Sequence, residues 1–250
     1  MASVTAVGVA AIGGWLQQGG ISLIQSIFSN EGSPSPPTVA VSASDWATCN
    51  TWLIPGDVHP VFNTLKREIA YQQRNPDEID KIAKDTLAET GAKVPTGESI
   101  EVTVQGKENK AVVLTGLEVV VESKEALTGT TMYFPMQCGA GVPPRSFSVN
   151  LDSHKPKLTL MQPLDPEQKP VNFPYRVSAD EPEVLQLVSD SKGYVEWKAK
   201  LLWVTDGKKG FTEIADDGKP FVTFPGGGNS ETQPDYTFHP FELQLTPGRG

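Results

Sequence analysis

Two cysteines are the residues of this chain best able to form a covalent link. Cys49 and Cys138 are the only thiols in 250 residues. A disulfide between them would close a loop of about 90 residues, and the chain-entropy model gives such a loop about 4–5 kcal/mol of stabilisation. An oxidising compartment outside the cytoplasm would favour the bond. The alternative is two buried free thiols, and the sequence leaves both states open.

Patterns that could support catalysis or metal binding are weak. Ser189–Lys192 matches the Ser-x-x-Lys pattern of a serine nucleophile, but the companion Ser-Asp-Asn and Lys-Thr-Gly sequences are missing. His59, His154 and His239 lie beside or near prolines, which is typical of loops, and they lack the spacing of metal ligands. We therefore predict no catalytic residue, no cofactor and no metal site, and we expect a protein that is not an enzyme.

The charge balance argues against a nucleic-acid partner. The formal net charge is −9, from 21 Lys and Arg against 30 Asp and Glu. A protein that binds a phosphate backbone needs clustered basic residues to displace counterions. Arg145 is an isolated cation, which we expect to pair with a neighbouring acid on a sheet surface rather than to bind a free carboxylate or phosphate.

One amphipathic helix is predicted after residue 75. Asn75 is a suitable N-cap, Pro76 suits the first helical position, and two acids follow at the positive end of the helix dipole. Gly91 is a suitable terminator. The apolar positions share one face, which should pack on a sheet: Ile79, Ile82, Ala83 and Leu87.

Most of the chain after residue 37 has the period of β-strands. The clearest strand is 194–204, where apolar and charged side chains alternate and Trp197 and Trp203 point to a core. Asp206-Gly207 and Asp217-Gly218 are hairpin turn sequences. Further strands are expected at 38–43, 100–105, 112–121, 130–135, 147–151, 157–161, 175–178 and 184–188. Short strands at roughly ten-residue spacing indicate a mainly β fold, namely an antiparallel β-sandwich-like domain over 38–250 with one packed helix.

The N-terminal segment is uncharged. Val4–Phe28 carries no charged residue, and as a helix it would be about 37 Å long, enough to cross a hydrocarbon core of about 30 Å. We therefore predict a hydrophobic helix at 1–28, in contact with membrane lipid, and a Pro/Ser linker at 29–37. A helix buried in an assembly is the main alternative. A signal peptide is disfavoured because no basic residue precedes the segment, and no basic flank sets the orientation of the helix.

Small residues recur every four positions within this segment. Ala6, Ala10 and Gly14 share one helical face, with Gln18 next on the same face. Small residues let two membrane helices approach closely, and an amide in hydrocarbon is stabilised by a hydrogen bond to another amide. These four residues are therefore the predicted oligomerisation face of a homo-oligomer.

Seven segments between Cys49 and Tyr236 carry a family resemblance, in the expected order. They are Lys110–Leu117, Leu127–Thr130, Gln137–Gly141, Pro144–Asp152, Phe173–Ser178, Asp190–Trp197 and Ile214–Phe221. This region resembles an uncharacterised family of actinobacterial proteins. The resemblance implies a domain that family members carry behind a single membrane helix or at the C-terminal end of a helix-turn-helix regulator. It implies no reaction, and since no DNA-reading module precedes the membrane segment, it implies no transcriptional role here.

These observations lead to one functional hypothesis and one alternative. The hypothesis is a non-catalytic β-domain that is anchored in the cell membrane by residues 4–28, lies outside the cytoplasm and acts by contact with a protein partner. In the alternative, the N-terminal helices pack together, and the chain is a structural subunit of a ring, pore or filament.

Overall fold

The computed structural model describes residues 35–43, 47–71, 75–107, 111–136, 145–163, 167, 169–226 and 233–248. The predicted helix at 1–28 and most of the predicted linker at 29–37 lie outside these residues. So does the predicted oligomerisation face, which is Ala6, Ala10, Gly14 and Gln18. Among the described residues, no helix has the length and apolar character needed to span a bilayer.

The described chain is mainly β, with fourteen strands and two α-helices. In chain order the strands are β1 (Thr38–Ala43), β2 (Thr51–Ile54), β3 (Ser99–Gln105), β4 (Val112–Glu125), β5 (Thr130–Tyr133), β6 (Ser146–Asn150), β7 (Leu158–Leu160), β8 (Tyr175–Val177), β9 (Glu183–Asp190), β10 (Tyr194–Thr205), β11 (Lys208–Ile214), β12 (Phe221–Thr223), β13 (Tyr236–His239) and β14 (Gln244–Pro247). The helices are α1 (Val58–Tyr71) and α2 (Pro76–Thr90), and both lie between β2 and β3. The mainly β fold predicted from the two-residue period is confirmed.

Helix α2 begins and ends where the sequence predicts. The Asn75 side chain accepts a hydrogen bond from the Asp77 N–H at 3.1 Å, and Pro76 occupies the first turn. Gly91 has a φ of 68°, the left-handed conformation that ends a helix, and its N–H donates to the Leu87 carbonyl. These local capping signals are strong enough to fix both ends of the helix.

Helix α1 corrects the prediction of a single helix. Its buried face is Val58, Val61, Leu65 and Ile69, an i, i+3, i+7, i+11 pattern that the sequence does contain. The His59-Pro60 pair, interpreted as a loop, instead lies in the first turn, where a proline sacrifices no helical hydrogen bond. The loop interpretation also fails for His239, the last residue of β13.

The strands form three sheets among the described residues. The first has the order β1-β3-β9-β6-β7, the second β11-β10-β4-β8 with β12 also paired to β10, and the third β14-β13-β5-β2. The predicted antiparallel arrangement holds for most pairs, but β6 pairs with β9, and β5 with β13, in parallel. Parallel partners are separated by long connections, which strand periodicity does not reveal.

The first two sheets enclose one apolar cluster. Alternate residues of β3 and β10 are buried in it, including Val102, Trp197, Leu201 and Trp203. The core positions predicted for Trp197 and Trp203 are thereby confirmed. Two sheets that bury their facing side chains against each other are consistent with the predicted sandwich.

A second apolar cluster lies between the third sheet and the two helices. It includes Trp52 of β2, Leu65 of α1, Ile79 of α2 and Phe238 of β13, each fully or almost fully buried. Phe134 packs edge-on against Phe238, with ring centroids 4.8 Å apart. The region 38–250, predicted as one domain, therefore contains two separate apolar clusters.

Candidate binding groove

The first cluster is partly exposed along one edge of β4. On its other side β4 pairs with β10 over its whole length, but β8 covers only Val112–Leu114. From Thr115 onward, this edge has no strand partner in the described part of the chain. The register with β10 shifts so that Thr115 and Glu122 are extra residues on β4, which makes each of them a β-bulge. The six residues Gly116–Val121 between the bulges form a regular strand with a free edge.

Exposure of the apolar residues shows that the cluster is open at this edge. Leu117 and Val119 of β4 are only half-buried. Their cross-strand partners on β10, Leu201 and Ala199, are both 0% exposed. These neighbouring positions on one face of the sheet therefore differ in burial because no strand in the described part of the chain covers this edge of β4.

A groove of about 650 Å³ runs along this edge. One wall is β4, and the other is the segment Lys155–Leu160, which includes the edge strand β7. Phe147 and Phe173 line the groove between these walls and stack with centroids 5.2 Å apart. The apolar side chains that line it and also pack against the first cluster are Leu117, Val119, Phe147, Leu158, Leu160 and Phe173.

Two lysines give the second wall of the groove a positive charge. Lys155 and Lys157 are exposed, and neither makes an ion pair within the described residues. Glu118 is the one carboxylate among the described residues that line the groove, so two lysines stand against a single acid there. The unbalanced charge at the groove is therefore positive, although the whole chain has a net charge of −9.

Arg145 supports the groove instead of lying in it. Its Nη2 is 2.9 Å from Glu183 Oε1, and its guanidinium lies 5.2 Å from the centre of the Tyr175 ring. The predicted pairing of Arg145 with a neighbouring acid is confirmed. The Tyr175 hydroxyl donates to the Val171 carbonyl at 2.6 Å and holds the segment that leads to Phe173. Burial raises the pKa of Tyr175 to about 12, so this donor keeps its proton throughout the physiological pH range.

The Ser-x-x-Lys sequence is a structural turn in the folded chain. Ser189 is buried in β9 and donates to the Gly97 carbonyl at 2.7 Å. The Lys192 N–H donates to the Asp152 carboxylate at 3.0 Å, and the Ser191 hydroxyl lies 3.2 Å from the same carboxylate. These contacts close a loop between β9 and β10.

Cys49 lies at the start of the third sheet. It is disulfide-bonded and not a free thiol, and its Sγ lies 2.6 Å from the Met136 carbonyl oxygen. Cys138, the only other cysteine of the chain, lies outside the described residues, so the 49–138 pairing itself stays a prediction.

A smaller cavity of about 360 Å³ lies near Cys49. It is lined by Tyr133, Met136 and the segment 239–242. His239 Nε2 is 3.0 Å from Thr246 Oγ1. Within the described ranges, no three His, Cys, Asp or Glu side chains come together as metal ligands would.

Comparison of the chain with protein-family models, curated proteins and solved structures finds no match. The resemblance to an actinobacterial family therefore stays a prediction. The strands at both walls are predicted from the sequence. The free edge of β4 between these walls is not predicted from the sequence. The short apolar run at residues 175–178 does indicate that the strand it forms, β8, is short.

Proposed function

We propose that this chain is a non-catalytic, membrane-anchored module outside the cytoplasm that acts by protein–protein contact at the groove beside β4. The observation that carries the proposal is a free strand edge, Gly116–Val121, above half-buried apolar side chains. Exposed strand edges and exposed apolar surfaces are both favourable sites for association. In this proposal the first two sheets form a β-sandwich, and the groove is its open side.

The location in the proposal has two supports. The disulfide-bonded state of Cys49 is typical of an oxidising compartment. The uncharged segment Val4–Phe28 is long enough to anchor the chain in lipid. The described β-domain would then be displayed beyond the linker at 29–37.

Fractionation of cells that express the full chain tests the anchor. We expect the protein in the membrane fraction, released by detergent but not by alkaline carbonate, whereas a variant lacking residues 1–28 should be released without detergent. Full-length protein recovered entirely as a soluble monomer would contradict the proposal.

Site-specific crosslinking in the same cells tests the contact. A photoreactive amino acid at Lys157, in the groove, should give one discrete protein adduct. The matched control is Lys209 on β11, an exposed lysine away from the groove, which should give none. Equal labelling from both positions would show that the groove is not the contact surface.

The alternative is a structural subunit that assembles through its N-terminal helices. Its support is the spacing of Ala6, Ala10 and Gly14, with Gln18 on the same face. Adducts whose masses are whole multiples of this chain would favour it. So would an oligomer, measured by light scattering, that disappears when residues 1–30 are removed.

A further inference from the structure

We propose that the groove binds an extended peptide segment of the partner, in which apolar and acidic residues alternate, and that this segment adds as a new strand to the free edge of β4. The proposal rests on the proposed function, because it names the chemistry of the partner at the same groove. Strand addition at a sheet edge is a recurrent mode of peptide recognition, in which main-chain hydrogen bonds provide affinity.

The length of the free edge defines the segment. Gly116–Val121 is six residues long, which corresponds to about 20 Å of extended chain. The bulge at Thr115 lies where the pairing with β8 ends, and the bulge at Glu122 lies at the other end. Both bulges lie in the ladder between β4 and β10 and bend β4 locally, so the regular stretch between them is the part of the edge best shaped to pair with an added strand.

The groove determines which side chains alternate residues of the segment must carry. Successive side chains of a strand point to opposite faces, so every second side chain of an added strand would enter the groove. There it would contact Leu117, Val119 and Phe173, which are only half-buried without it. Covering these side chains removes apolar surface from water, and apolar residues are therefore favoured at these positions.

The lysines determine the charge of the segment. Lys155 and Lys157 face the edge of β4 across the groove and have no acidic partner in the described part of the chain. Glu118, on the other wall, is the single carboxylate against these two lysines among the described residues that line the groove. The acidic residues alternate with the apolar residues that enter the groove, so their carboxylates lie at its rim, where Lys155 and Lys157 are exposed. The net charge of −9 disfavours an acidic segment elsewhere on the surface.

Binding of defined peptides to the full chain in detergent tests the proposal. The probe is a labelled synthetic peptide in which valine alternates with glutamate. One control has lysine in place of glutamate. A second control has the same sequence with alternate main-chain nitrogens methylated, which removes the donors that pair with a strand edge. Fluorescence anisotropy measures affinity, and hydrogen–deuterium exchange locates the site.

We expect the acidic peptide alone to bind and to slow amide exchange in Gly116–Val121. The double variant K155E/K157E should weaken binding about tenfold at low salt, since two exposed ion pairs are lost and replaced by repulsion. The variant K107E/K209E makes the same change in net charge away from the groove and should bind as the wild type does.

Three results would overturn strand addition. They are no binding of the acidic peptide, equal binding of the N-methylated peptide, and binding without slower exchange in Gly116–Val121. In each case a groove-specific adduct from the photoreactive position at Lys157 would still support the proposed function. Absence of that adduct together with tight peptide binding would instead contradict the proposed function and leave strand addition in place.

Discussion

Ser189 Oγ lies 2.6 Å from Thr223 Oγ1, and this contact joins β9 of the first sheet to β12 of the second. Trp197 Nε1–H donates to Thr223 Oγ1 at 2.9 Å, and the Ser189 hydroxyl donates to the Gly97 carbonyl at 2.7 Å. The Thr223 hydroxyl therefore donates to Ser189 Oγ. Each side-chain donor of Trp197, Thr223 and Ser189 therefore has an acceptor. These hydrogen bonds connect the two sheets without leaving a buried side-chain donor unpaired.

Replacing Thr223 with valine should destabilise the fold. The change keeps the shape of the side chain but leaves the Trp197 N–H without an acceptor in a buried site, which costs about 1–3 kcal/mol. Urea unfolding should show a lower midpoint with an unchanged slope. The control T103V, at an exposed position of β3, should stay within about 0.5 kcal/mol of the wild type. Equal urea midpoints for T223V and the wild type would contradict the stabilising role of the hydrogen bonds of Thr223.

Replacing Gly97 with alanine should also destabilise the fold, for a steric reason. An added Cβ would lie 2.7 Å from Trp197 Nε1 and 2.8 Å from Phe221 Cβ, so packed side chains must move. Overpacking of this kind costs about 1–3 kcal/mol. At Gly116 the nearest atom to an added Cβ is Leu202 Cδ1 at 3.8 Å. G116A is therefore the matched control. In thermal unfolding, G116A should have a clearly higher melting temperature than G97A. A lower melting temperature for G116A would refute the close approach at Gly97.

The buried Asp80 carboxylate should make stability depend on pH. Its Oδ1 accepts from the Thr48 N–H at 3.0 Å and the Thr48 hydroxyl at 2.9 Å, and its Oδ2 is 3.1 Å from Lys84 Nζ. Burial alone would raise the pKa of Asp80, but the Thr48 donors and Lys84 together hold it below the ordinary value of 3.8. Because the folded-state pKa is lowered, this stabilisation is complete above the unfolded pKa and is lost as the pH falls through the folded pKa.

The variant D80N should therefore be less stable than the wild type at pH 7. The loss should be about 1.5–3 kcal/mol, the usual contribution of hydrogen bonds to a charged group, and the difference in stability between D80N and the wild type should narrow below about pH 4. Urea unfolding at several pH values measures the difference in the free energy of unfolding between D80N and the wild type. Asp85, an exposed acid on the same helix that pairs with Lys81, gives the control D85N, with a small and salt-sensitive effect. A gap for D80N that is constant down to pH 2 would exclude the linkage.

The predicted disulfide between Cys49 and Cys138 should resist alkylation in the native state. Mass spectrometry should find no alkylated cysteine before reduction and two afterwards. Reduction should lower the stability by about 4–5 kcal/mol in the chain-entropy model, because the unfolded chain regains a long loop. Two cysteines alkylated without prior reduction would show that the bridge does not form.

Local signals in the sequence account for the elements that were predicted well. The N-cap, first-turn proline and terminal glycine of α2 lie within a few residues of the backbone groups that they satisfy. The alternation of apolar and charged side chains along β10 indicates which of its residues are buried, because one face of the strand lies against the first cluster. Helix α1 is not among the predicted elements, because a proline such as Pro60 is also typical of loops, although the buried positions of the helix have helical spacing.

The groove could not be predicted because it depends on pairing between distant segments. Residues 112–121 read as a strand, but nothing in them shows that β8 ends opposite Leu114. The positive wall likewise depends on β6–β7 approaching β4, which brings Lys155 and Lys157 to that edge. These relationships are set by tertiary packing and not by periodicity.

The position of Phe238 has a consequence for synthesis. It is buried with the helices α1 and α2 in the second cluster, and its strand is an inner strand of the third sheet. Both helices are synthesised long before Phe238, so part of their apolar faces stays exposed to solvent until β13 has been synthesised. The second cluster is therefore completed only after β13 has been synthesised, so closure of this core is coupled to one of the last strands of the described chain.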